Sequence, residues 1–153
     1  MKQKQFKVKL AKSIVTLFVF LAAMTVNAQE VSVGTDVASG YVWRGFDLGG
    51  VSVQPSISVA YSGFSLTAWG SIGLESADTR EFDLTLGYGI GGFSAALTDY
   101  WFDKSYVDDG PVPNNYFKYA AHSTAHVYEA TLGYDFGLFS LSWNTNFAGA
   151  DYA

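Results

Sequence analysis

The sequence predicts an all-β protein: an antiparallel up-and-down transmembrane β-barrel, preceded by a signal peptide. Three observations predict it. The first 28 residues have the layout of an export leader. The rest alternates apolar and polar side chains through about seven strands. The polar face so formed is made of Ser, Thr, Gly and Asn rather than of Lys and Glu.

The leader comes first. Five of the seven lysines (Lys2, Lys4, Lys7, Lys9, Lys12) lie in the first twelve residues, and Ile14–Ala23 is a ten-residue apolar run. Val26-Asn27-Ala28 supplies a small-x-small cleavage site that leaves Gln29 first. The apolar run is shorter than the roughly 20 residues an uncleaved helical anchor needs. It carries no twin arginine, so export through the general secretory route is expected. The chain therefore divides into a signal peptide, 1–28, and an outer-membrane barrel domain, 29–153. Outer-membrane lipid and the secretory and barrel-assembly machineries are the expected partners.

After residue 28 the chain carries four cations (Arg44, Arg80, Lys104, Lys118) and fourteen acids, a formal net charge of −10. No basic stripe exists to neutralise phosphates, which excludes nucleic acid as an expected partner. With no cysteine, disulfides, thiolate catalysis and an acyl-cysteine anchor are excluded together. A composition 49% hydrophobic and 17% aromatic excludes disorder. Yet only 18 of the 125 residues after the leader are charged. Soluble surfaces need roughly twice that density, so something other than water is expected to cover much of the exterior.

The strands follow in order. Val31–Phe46 sets Val31, Val33, Val37, Tyr41 and Trp43 against Ser32, Gly34, Asp36, Gly40 and Arg44. Val51–Tyr61 alternates without a break. Phe64–Glu75 opposes Phe64, Leu66 and Ile72 to Ser65, Thr67 and Ser71, and Arg80–Ile90 opposes Phe82, Leu84, Leu86 and Tyr88 to Glu81, Asp83, Thr85 and Gly87. Phe93–Asp103 begins likewise, but its phase blurs at Asp99–Phe102. Tyr128–Tyr134 and Leu138–Phe147 complete the set. Such period-two segments, turned apolar side out, suit strands tilted across a bilayer. A soluble sandwich would turn the apolar face inward.

Tyr61-Ser62-Gly63-Phe64, Ile90-Gly91-Gly92-Phe93 and Asp135-Phe136-Gly137 read as tight turns, alternating with longer links. They repeat an aromatic pattern, Tyr61/Phe64, Tyr88/Phe93 and Tyr134/Phe139, that is expected to ring one membrane interface. Trp43, Trp101 and Trp143 are expected toward the other. Seven is an odd number and single-chain bacterial barrels have even ones, so the barrel is expected to be incomplete at its C-terminus.

The stretch Val37-Ala38-Ser39-Gly40-Tyr41-Val42-Trp43-Arg44-Gly45 is followed by Gln54-Pro55, Gly63-Phe64, Ala68-Trp69-Gly70 and Leu97-Thr98-Asp99-Tyr100-Trp101. It resembles a family of uncharacterised bacterial outer-membrane proteins labelled Gcw_chp, over roughly Val31 to Phe147. The S-G-Y-x-W-R-G core is the specific part. The resemblance implies an exported β-barrel and no established activity; members of the family are longer than this chain.

Candidate chemistry is sparse. Arg44 with Asp36, Glu81, Asp83 and Glu129 is expected to form a charge cluster inside the barrel, plugging it or setting ion preference. His122 and His126 share a face at i, i+4, but a metal site needs a third ligand, for which Glu129 or Asp103 is a guess. Asp103, Asp108 and Asp109 lie in the longest loop, with oxygen ligands of the kind Ca²⁺ takes but without an EF-hand spacing. Ser123, His126 and Glu129 could be cast as a lipid hydrolase, although no nucleophile-elbow motif is present. Ordinary solvation explains each of these more simply, so no cofactor, no metal and no enzymatic activity are expected. The function expected is porin-like passage of small solutes or ions. A non-conducting structural or surface-interaction barrel comes second and a lipid hydrolase third.

Overall fold

A computed structural model describes residues 29–75, 78, 80–107, 110–120 and 123–150. The expected signal peptide, His122, Asp108, Asp109 and the last three residues lie outside the described residues. The described chain is all-β, and among the described residues no helix is long and apolar enough to cross a membrane.

Seven long strands build one antiparallel sheet. They are β1 (Gln29–Ala38), β4 (Ser52–Tyr61), β5 (Phe64–Gly73), β6 (Arg80–Ile90), β7 (Phe93–Phe102), β10 (His126–Asp135) and β11 (Ser140–Gly149). They lie side by side in that order, so each long strand pairs with the next one in sequence, and β1 and β11 are the sheet's two edges. Two hairpins stand apart from the sheet: β2 (Tyr41–Trp43) with β3 (Phe46–Gly49), and β8 (Lys104–Val107) with β9 (Gly110–Pro113).

The first strand expected from sequence ran to Phe46; the sheet strand ends at Ala38. Ser39-Gly40 breaks the extended run, and Arg44-Gly45 then turns the chain back, with φ of 48° and 87° and Trp43 opposite Phe46. Positive φ at both central residues is the type I′ signature of a two-residue hairpin. The same geometry joins β4 to β5 at Ser62-Gly63, with φ of 50° and 86°. A Cβ on Gly63 would lie 2.6 Å from the Gly89 carbonyl oxygen. Gly63→Ala should therefore cost about 1–2 kcal/mol, from the left-handed backbone and the clash together, read as a lower urea midpoint in detergent micelles. The β10–β11 link is longer than the tight turn expected. Four residues, Phe136 to Phe139, close it through Phe136 N–H to Phe139 O (2.9 Å) and Gly137 N–H to Asp135 Oδ1 (2.7 Å).

Register fixes the faces. Pairs such as Leu66↔Leu86, Leu86↔Leu97 and Leu132↔Ala95 put the aliphatic side chains on one side. Ser58↔Thr67, Thr85↔Thr98 and Glu129↔Thr98 put the polar ones on the other. Pairing between β4 and β5 lapses at Gln54 and Pro55, where proline has no N–H to give to the ladder.

Burial follows polarity. Among the described residues no hydrophobic side chain is buried, whereas Ser52, Ser71, Glu81, Asp83, Thr98, His126 and Glu129 all are. The large apolar side chains are exposed, including Val31, Val33, Ile57, Leu66, Leu86, Leu97, Leu132 and Leu141. Such a distribution inverts that of a water-soluble domain.

Three aromatic pairs lie at the short links. Phe64 packs on Tyr88 with centroids 4.6 Å apart, and Phe136 on Tyr134 and Phe139 at 4.7 and 4.8 Å. Trp101, next to the end of β7, lies at the opposite end of the sheet. Trp143 does not join it: opposite Leu132 and three residues into β11, it sits in the half nearer the short links. The expectation failed because β11 starts at Ser140 and runs away from that end.

Candidate functional site

The β2–β3 hairpin is tied to the polar face of the sheet. Arg44, at its tip, makes a two-pronged ion pair with Glu129 of β10: Nη1 to Oε2 at 2.5 Å and Nη2 to Oε1 at 2.9 Å. Glu129 is 4% exposed and also accepts the Tyr100 hydroxyl (3.2 Å) and the Thr131 hydroxyl (3.3 Å). The arginine rests on its neighbour Trp43, 4.9 Å from the ring centroid. Its hydrogen bonds to Glu129 raise the guanidinium pKa further, so it stays charged at any ordinary pH. Arg44 occupies a positive-φ position that Asn or Gly would take at lower cost. The geometry spends that cost on aiming the guanidinium at β10.

A second tie lies at the base of the hairpin, where Tyr41 donates its hydroxyl to Glu81 Oε2 at 2.7 Å. Burial, and then the Glu81 carboxylate beside it, push the Tyr41 phenol well above its usual range, which keeps it a donor. Of the expected charge cluster, Arg44 and Glu129 meet, Glu81 takes Tyr41, and Asp83 is buried two residues along β6 with Oδ1 unpartnered among the described residues. Asp36 stands apart, exposed on the edge strand β1 opposite Gln54.

His126 belongs to the other face. It opposes Trp101 across β10–β7, as Tyr128 opposes Asp99, so Asp99 also points to the apolar side. Nδ1 of His126 lies 2.7 Å from Asp99 Oδ1, and Nε2 donates to the Tyr116 carbonyl at 2.7 Å. The segment around Tyr116 folds over this pair. Tyr116 packs edge-on to Phe82, Trp101 and His126, and Tyr119 stacks on the imidazole at 4.4 Å. Burial, and then hydrogen bonding with Tyr119, push the Tyr116 phenol upward. His126 ends 0% exposed.

This arrangement does not assemble the hydrolase trio considered from sequence. The imidazole is engaged at both nitrogens, Ser123 Oγ donates to the Ala120 carbonyl (3.4 Å), and Glu129 lies on the opposite face of the strand. Odd spacing along a strand forces that separation, and it equally removes Glu129 as a co-ligand of His126. Asp103 Oδ1 instead accepts the Arg80 N–H at 2.9 Å, fastening the start of β6 to the end of β7. Among the described residues no group of three His, Asp or Glu is placed to hold a metal ion.

The sequence reading missed Asp99 and the strap over His126. The available signal was the blurred phase at Asp99–Phe102, where Asp99 takes the apolar face and Tyr100 the polar one. Comparison with protein-family models, curated proteins and solved structures finds no match to this chain.

Proposed function

We propose that this chain forms the wall of a β-barrel in the outer membrane of a bacterium, reached by a cleavable signal peptide and the barrel-assembly machinery. Its polar interior passes small solutes or ions, and the β2–β3 hairpin narrows the route. The observation that carries this reading is the inverted burial, polar side chains covered and leucines and valines bare. In water such a surface is an aggregation hazard, and in hydrocarbon it is the stable arrangement. Hydrocarbon does not tolerate unpaired strand edges, so β1 and β11 must each find a partner strand, outside the described residues or on another chain.

The hairpin favours a second reading, in which the barrel is closed and serves a structural or surface-binding role. Its ties at Arg44–Glu129 and Tyr41–Glu81 cross the polar face in two places. Planar-bilayer recordings separate the two. Native protein is expected to give small stepwise currents, and Arg44→Asn, which suits the left-handed turn but cannot bind Glu129, to give larger ones. Absence of steps from both proteins would leave the closed barrel as the reading.

A further inference from the structure

Beside the Arg44–Glu129 ion pair, between β2 and the polar face of the sheet, lies a cavity of about 630 Å³. Two of its walls are the rings of Tyr41 and Trp69, with centroids 5.7 Å apart and planes at 55°, which makes an aromatic corner. Trp43 and Tyr100 add to the lining, and so does Asp83 from the central strand β6. Asp83 is 8% exposed, and its Oδ1 has no hydrogen-bond partner among the described residues. No lysine or arginine is among the described lining residues, and the nearby Arg44 is held by Glu129.

A buried carboxyl whose oxygen has no donor is costly to ionise, and a cation beside it lowers that cost. Ring faces attract a cation as well, most strongly where water is excluded. Tyr41 cannot satisfy Asp83 itself, because its hydroxyl is given to Glu81. A bare divalent ion is a poor occupant, since it needs about six oxygen ligands, Asp83 is the one carboxylate among the described lining residues, and the Thr67, Thr85 and Thr98 hydroxyls are already hydrogen-bonded within the sheet. A neutral polyol could donate one hydroxyl but would bring no charge to favour the ionised form of the carboxyl.

We propose that this cavity binds a small organic ammonium compound, with Asp83 as the countercharge and the Tyr41–Trp69 corner packed against the cationic head. The proposal goes beyond the permeation reading and takes from it only that the polar face is the watered side. An open route through the barrel is not required.

The test uses the full chain folded in detergent micelles, titrated calorimetrically at constant ionic strength with choline chloride and with 3,3-dimethylbutan-1-ol, its uncharged isostere. Choline is expected to bind saturably, and the alcohol at least about tenfold more weakly. Asp83→Asn should weaken choline about tenfold, while Glu30→Gln, on the exposed edge strand, should leave it unchanged. Trp69→Leu removes a ring face and keeps the carboxylate; it should weaken choline too, and it serves if the Asp83 variant does not fold. Equal affinity for choline and the alcohol, no binding of either, or undiminished choline binding by the variants overturns the proposal. Failure of the membrane reading shows separately, as protein that stays in the soluble fraction of cells.

Discussion

Replacing His126 with leucine should destabilise the folded protein by about 3 kcal/mol, the upper end of the usual cost of leaving covered polar groups without their hydrogen-bond partners. The imidazole bridges two elements: the Asp99 carboxylate of β7 and the Tyr116 carbonyl of the segment folded over the apolar face. Leucine fills much of the space and bonds to neither. Asp99 is left with its carboxylate among Tyr116, Tyr119 and Tyr128, and the strap loses its hydrogen bond to β10. Two measurements follow. The urea midpoint in micelles should fall, and trypsin should cut faster after Lys118, which lies in the strap between Tyr116 and Tyr119. The paired variant, Asp99→Leu with His126→Leu, removes charge and counterpart together and puts two aliphatic side chains on an aliphatic face. It should cost less than the two single changes combined, with a coupling of about 2 kcal/mol. Strict additivity would mean that the two residues act separately and that ring stacking alone holds the strap.

The alternation that made the strands legible in sequence also hid this pair. Period two assigns a face to every residue, and it does so correctly where the side chains agree with their face, as in Leu84, Leu86 and Tyr88 against Asp83, Thr85 and Gly87. At Asp99 the rule and the chemistry disagree. An acid on the apolar face is stable because His126 lies diagonally across on the next strand, 27 residues later, and no local window contains both. The hairpin was hidden for a related reason. Tyr41 and Trp43 keep the parity of β1, so the run looks continuous through Ser39-Gly40, and the departure from the sheet is decided by distant contacts to Glu81 and Glu129. Sequence could put Arg44, Glu81, Asp83 and Glu129 on one face. Which acid Arg44 meets depends on strand order and on how far a two-residue turn projects, and both are properties of the assembled sheet.

Leu86→Arg should cost about 2–4 kcal/mol if the apolar face lies in hydrocarbon, and within about 0.5 kcal/mol of nothing if it lies in water. Leu86 suits the question because it is 51% exposed and sits in the middle strand of the sheet. Its cross-strand neighbours, Leu66 and Leu97, carry the same character. In water a half-exposed leucine on a broad sheet is a site where arginine should do no harm, since its stem covers the same neighbours and its head is solvated. In a bilayer the same head must leave hydrocarbon, and from mid-sheet its reach is short. The comparison is Tyr61→Arg, on the same face but at the end of β4, where a guanidinium can reach the headgroups and the cost should be no more than about 1 kcal/mol. Unfolding in lipid vesicles gives both numbers. A steep fall from Leu86 to Tyr61 is a depth profile, which only a bilayer imposes. Two small and similar values would turn the sheet back toward water, and the exposed leucines would then call for a covering protein partner in place of lipid.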